Sequence, residues 1–285
     1  MNTAMSSARA PRSPAPLQGR VLQFFLLVFA LSVPFWVFGG TPLPGAPLDL
    51  PVSALQAFTP LVAAAILIHR EDGRAGVRRL CKRAVSPEGI TTAWYAPMIL
   101  MMPGVMILAY GIMRLAGMPL PEPEVPLLTA PVLFAVFFVG AAAEEMGWMG
   151  YAIDPMQQRW SALTAAGVLG SVWAVWHVVP LLQAGRSAPW IAWWAVSTVA
   201  MRILIVWLYN NTDRSVFAAT VFHAMIVVAN SLFPNHGSHY DPAVAGPLLA
   251  IGAAVVTFLW GPRTLARYRY GAGRGLAPWS TARLP

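Results

Sequence analysis

Long apolar runs separated by short polar segments dominate this chain. Eight runs, at about 21–38, 53–69, 92–116, 127–150, 161–183, 189–209, 215–233 and 243–262, each come close to the length an α-helix needs to cross a bilayer. That length is about 20 apolar residues for the hydrocarbon core. The pattern predicts an all-α fold, a polytopic membrane helical bundle of about eight transmembrane helices. Pro60, Pro97, Pro103 and Pro131 fall inside or near these runs, which membrane helices tolerate because neighbouring groups satisfy the freed carbonyls.

Polar segments divide the chain further. Residues 1–20 form a basic tail, 21–126 hold three N-terminal helices, and 127–233 hold a four-helix core. A last loop and helix follow at 234–262, then a second basic tail at 263–285. The proline-rich segments 41–51 and 118–126 read as external loops.

Charge sets the orientation. With the N-terminus inside, the cytoplasmic segments hold 16 of the 19 Lys and Arg residues, the outer loops hold Arg114 and Arg186, and Arg202 lies within a span. This is the bias of the positive-inside rule. It predicts a multi-pass protein of the cytoplasmic membrane with both termini cytoplasmic and the lipid bilayer as its surroundings. The net charge of +8 is thereby absorbed by topology, and no nucleic-acid partner is expected. Composition agrees: 57% of residues are hydrophobic and 11% charged, against about 25% charged in soluble domains. The single cysteine, Cys81, excludes an intramolecular disulfide and a thiolate metal cage.

Glu144 and Glu145 are the carboxylates that lie inside an apolar run. Ionisable residues at membrane depth cost about 2.5–3.5 kcal/mol on insertion scales and mark function by default. His177 and His223 sit on two further runs. Two glutamates and two histidines on three segments suggest a buried hydrolytic centre. Adjacent helical residues differ by about 100°, so one carboxylate should face a cavity and its neighbour a supporting partner. A buried glutamate can act as general base on water. A neutral imidazole can ligate a metal, hold a water or stabilise an oxyanion. Trp173, four residues before His177, shares its helix face and is expected to wall the pocket and fix the imidazole. Asn230 lies about two turns after His223 on the same face. His69 reads as structural, His236 and His239 as parts of a solvated outer loop, and Trp190, Trp193, Trp194 and Trp207 as lipid and interface contacts.

The set Glu144-Glu145-Met-Gly-Trp-Met149-Gly-Tyr, Trp173-Ala-Val-Trp-His177, Trp207-Leu-Tyr-Asn210 and Phe222-His223-Ala resembles the CPBP family, the CAAX-protease and bacteriocin-processing (Abi) intramembrane peptidases. The resemblance covers about residues 127–233. It implies a membrane-embedded endopeptidase of the metalloprotease type acting on a peptide or membrane-protein substrate. Glu144 would be the base, Glu145 its support, and His177 and His223 would hold the water, a metal or the oxyanion. Glu144, His177 and His223 could bind a divalent metal, zinc first among them, with one position open; a water held without metal is equally compatible. The chain departs from the family pattern at Met149, where the family has arginine, and at Val227, where it has asparagine. Arg202 is expected to pair with a glutamate in place of the missing arginine, and Asn230 to stand in for the missing amide. Without such substitutes, the chain would be a catalytically degenerate membrane adaptor or immunity protein of the same fold. A transporter using Glu and His as a proton relay is a further rival, disfavoured because no internal repeat is evident.

Overall fold

The structure is a computed structural model that describes residues 17–42, 51–124, 128–235 and 237–266. The tails up to residue 16 and from residue 267, residues 43–50 and 125–127 of the proline-rich segments, and His236 lie outside the described residues. Nine α-helices follow in order among the described residues: α1 (Leu17–Val37), α2 (Thr59–Val85), α3 (Tyr95–Leu115), α4 (Ala130–Gly147), α5 (Ile153–Arg159), α6 (Ala162–Gln183), α7 (Ala188–Asn211), α8 (Val216–Leu232) and α9 (Pro242–Trp260). Seven helical segments are long and apolar enough to cross a membrane, and α8, with 17 residues, is a shorter apolar helix. The bundle predicted from the apolar runs is therefore the bundle observed.

Local sequence explains where the helices start. The side chains of Ser161, Ser187, Ser215 and Asp241 each accept a backbone N–H in the first turn of α6, α7, α8 and α9. These short oxygen-bearing side chains satisfy donors that a helix leaves orphaned at its start. Proline opens α2, α4, α7 and α9, where its missing N–H is no loss. On the outside of the bundle, Leu26, Leu100, Ile107, Val132 and Ile251 are all exposed. In water that surface would be unfavourable; against lipid tails it is the expected covering.

Helix α7 packs against both α6 and α9, α8 packs against α4 and α3, and α4 packs against α2. Small residues let the backbones approach, as is usual between membrane helices. A Cβ on Gly147 would come 2.5 Å from the Cβ of Pro60, and a Cβ on Gly170 would come 3.0 Å from the Cβ of Arg202.

Two stretches differ from the expectation. The basic segment 70–91, which lies between the second and third predicted runs, is helical to Val85. The helix turns sharply at Gly73, whose φ of 66° favours glycine. Beyond it, residues 74–85 form an amphipathic stretch with Gly76, Leu80 and Ala84 buried and Arg74, Arg78 and Lys82 exposed. Its charges masked the helix, since a basic run and a loop look alike in hydropathy. The second difference lies after the glutamates. The expected break near residue 150 is absent, and α4 passes through a π-helical turn at Trp148–Ala152 into α5. π-turns of this kind often occur at functional sites.

Candidate active site

Helices α4, α6 and α8 bring the sequence-selected residues to one cavity. It has a volume of about 370 Å³ and is lined by Glu144, Trp173, His177, His223, Val227 and Asn230. At its mouth stand Arg186, Gly237 and Tyr240. A larger groove of about 910 Å³ between α6, α7 and α9 has no ionisable side chain in its lining, so chemistry belongs to the smaller one.

The two glutamates point to different surroundings. Glu144, 7% exposed, faces the cavity. Its Oε2 accepts the indole N–H of Trp173 at 2.8 Å and that of Trp148 at 3.3 Å. Trp148 lies four residues on, one helical turn along the same face. Glu145 is fully buried. Its Oε2 accepts from Arg202 Nη1 at 2.7 Å, and its Oε1 pairs with His223 Nδ1 at 2.8 Å. The pairing expected of Arg202 is thus present, and it falls on Glu145. Met149, at the position of the family arginine, is fully buried within the apolar core.

The partners fix the histidine tautomers. Nδ1 of His177 lies 2.9 Å from the carbonyl oxygen of Trp173. A carbonyl only accepts, so Nδ1 carries the proton and Nε2 of the neutral ring has a free lone pair. Carboxylate oxygens likewise only accept, so His223 carries a proton on Nδ1 and directs Nε2 away from Glu145. A carboxylate behind an imidazole in this way fixes the orientation of the ring. Trp173 ties these groups together. Its ring stands edge-on to both His177 and His223, and the Arg202 guanidinium lies 4.2 Å from its centroid. That contact offers a cation–π attraction to a guanidinium whose Nε and Nη2 have no hydrogen-bond partner among the described residues.

Several sequence readings need correction. Trp190 and Trp194 line the cavity rather than lipid, and Trp194 packs on His177. Trp207 is buried between Trp94 and Trp260; Trp193 alone of the four is exposed. Aromatic residues in an apolar run carry the same signal whether they face lipid or a pocket. His177 is fixed by the backbone carbonyl of Trp173, whereas the Trp173 ring serves Glu144. Trp148 serves the same carboxylate, and its spacing of four from Glu144 is the sequence signal for it. His69 is exposed, and His239 lies in the loop after α8, where Nδ1 is 2.7 Å from Ser238 Oγ. Asn230 reaches the cavity, and its Oδ1 has no partner among the described residues. Burial pushes the Tyr240 hydroxyl up to about 12, with Asp241 adding to the shift; the phenol at the mouth therefore stays a hydrogen-bond donor.

The expected metal set does not assemble. Among the described residues, no three His, Cys, Asp or Glu side chains are grouped so that they could hold a metal ion. The hydrogen bonds within the site engage Oε2 of Glu144 and Nδ1 of His177 and His223, and leave Oε1 and both Nε2 atoms facing other surroundings.

A polytopic helical membrane bundle with this buried Glu-His centre can next be set beside known sequences. Residues 126–229 match the family described as type II CAAX prenyl endopeptidase Rce1-like. The chain is also 30% identical over 139 residues to CAAX prenyl protease 2 of Methanococcus maripaludis, an alignment covering 45% of this chain and 49% of that protein. The chain thus spans about half the length of that relative. The comparisons bear out the resemblance to the CPBP family over the stretch that carries Glu144, Glu145, His177 and His223.

Proposed function

We propose that this chain is an intramembrane endopeptidase in which Glu144 activates a water for attack on a peptide carbonyl. The observation that carries the reading is the division of labour between the adjacent glutamates: one faces the cavity, the other is held by Arg202 and orients His223. Glu144 Oε1 takes a proton from water while the indole N–H groups hold Oε2 in place. The lone pair on His177 Nε2 orients the same water from a second side. Attack forms the C–O bond and places negative charge on the carbonyl oxygen. His223, held by Glu145 through Nδ1, donates from Nε2 to that oxygen when its ring carries both protons. The C–N bond then breaks, and the proton on Glu144 passes to the leaving amine. The products are a carboxylic acid and an amine, which become carboxylate and ammonium once the remaining proton passes from one to the other, and water is the only co-reactant. No step is assigned to a metal, because no three His, Cys, Asp or Glu side chains among the described residues are grouped to hold one.

The relative's name refers to prenylated CAAX substrates; the substrate proposed here is more general, a peptide segment reaching the cavity at the membrane. The distribution of Lys and Arg supports a cytoplasmic-membrane setting with the basic end of the bundle inside. The test compares new peptide termini across membrane and secreted proteins in cells carrying the intact protein or Glu144→Gln at matched abundance. Termini that vanish in the variant support proteolysis. Identical profiles with a folded variant move the reading to a non-cleaving adaptor.

A further inference from the structure

The two ends of the bundle are built differently, and among the described residues the lining of the cavity reaches one of them. The basic end is closed. Leu80 of the amphipathic stretch packs where a Cβ on Gly150 would come within 2.5 Å of it. Arg83 donates to the carbonyl of Gly150 at 3.3 Å and to the Tyr209 hydroxyl at 2.9 Å. Tyr209 in turn donates to Asp154 at 3.0 Å. Above this seal, Trp148 and Met149 have no exposed surface, and none of the residues that line the cavity belongs to that end. The opposite end carries Arg114 and Arg186 as its described cations. There the cavity runs from Glu144 past His177, one turn nearer the mouth than Trp173, to Arg186, Gly237 and Tyr240.

We infer that the site is loaded from the extracytoplasmic face, so that its substrates are peptide segments exposed on that face rather than cytoplasmic prenylated tails. The inference rests on the proteolytic reading above for the word substrate, but the direction of access stands on geometry and charge alone. The positive-inside bias puts the basic end in the cytoplasm. The seal formed by Leu80, Arg83, Tyr209 and Asp154 lies on that side, and the mouth lies on the other. Hydrolysis at this depth then needs an unwound segment that enters from the outside, since a continuous helix leaves its carbonyls paired within the helix.

Cys81, exposed on the amphipathic stretch at the basic end, supplies a native reporter for the inside. Cells with an intact cytoplasmic membrane are treated with a charged, membrane-impermeant maleimide, before and after permeabilisation. The wild type should label at Cys81 only after permeabilisation. Ser231→Cys, which lines the cavity, and Ser238→Cys, on the exposed loop beyond it, are each made with Cys81→Ala. Both should label in intact cells, at least tenfold faster than wild-type Cys81. Ser231→Cys labelling only after permeabilisation overturns the inference. So does Ser238→Cys labelling from outside while Ser231→Cys stays unreactive under every condition, because the mouth is then shut. The terminus comparison separates the two readings. Glu144-dependent cleavage confined to cytoplasmic tails overturns the direction of access and keeps the peptidase. Absence of Glu144-dependent cleavage, with Ser231→Cys labelled from outside, removes the peptidase and keeps the direction.

Discussion

Glu144 and Glu145 are neighbours in sequence and differ in everything that governs a carboxylate. One borders a cavity and accepts two neutral indole donors, which leaves an oxygen able to take up a proton. The other has no exposed surface and is held by an arginine and a histidine. The difference teaches how a helix with a 100° step between residues can serve chemistry and support at once. A reactive acid needs freedom to change its charge; a positioning acid needs a fixed charge. Here the two demands fall on successive residues, and the helical step sends them to opposite surroundings.

The comparison can be broken most sharply at the reactive side. Glu144→Gln keeps the shape and both indole contacts but removes the base. Turnover by purified protein on a substrate found in the terminus comparison should fall by about 10²–10⁴-fold, with unchanged elution in detergent. Retained turnover would end the assignment of Glu144 as base.

The supporting side should break through stability. Arg202→Met leaves Glu145 buried without its charge partner, a loss of about 3–5 kcal/mol by the usual cost of an orphaned buried ion. Thermal unfolding in detergent should shift down clearly. Adding Glu145→Gln to Arg202→Met should recover part of the loss, because the orphaned charge is then removed. A double variant no more stable than the single one would show that Arg202 acts by packing on Trp173 instead.

Trp173→Phe sharpens the comparison further, since it deletes the 2.8 Å donor to Glu144 and preserves most of the ring. A hydrogen bond to a charged group is worth about 1.5–3 kcal/mol, so kcat/KM should drop by roughly ten- to hundredfold while the Arg202–Glu145 pair keeps the fold. The smallest change is expected at the rim. Asn230→Ala removes an amide whose oxygen is unpartnered, and a neutral hydrogen bond contributes about 0.5–1.5 kcal/mol. It should raise KM several-fold with kcat nearly unchanged; a larger fall in kcat would place Asn230 at the oxyanion instead.

Much of this arrangement was legible in the sequence, for a physical reason. A charge in an apolar run is expensive, so Glu144, Glu145 and Arg202 stood out, and Arg202 did meet a glutamate. Run length located the eight long apolar helices of the bundle, because the bilayer imposes it, but not the short α5. What escaped notice was whatever carries no charge or no period. Trp148, Trp190 and Trp194 look like lipid-facing aromatics until their neighbours are known. The helical stretch at 74–85 looks like a loop, because topology and amphipathicity both use arginine. The metal set was legible only through resemblance, and the side chains do not gather to form it.

The π-turn at Trp148–Ala152 has one more consequence. Such a turn holds one residue more than an α-helix accommodates, so it sets the rotation of everything after it. Deleting one residue there would restore even winding and turn Asp154 and Arg159 about 100° around the helix axis. Glu144, upstream, would not move. Asp154 would swing off Tyr209 and Arg214, which it now meets at 3.0 and 3.6 Å. The surplus residue is a rotary spacer: it lets one continuous rod present its acids to a cavity in its middle and clasp its neighbours at its end, two tasks whose angles a regular helix could not reconcile.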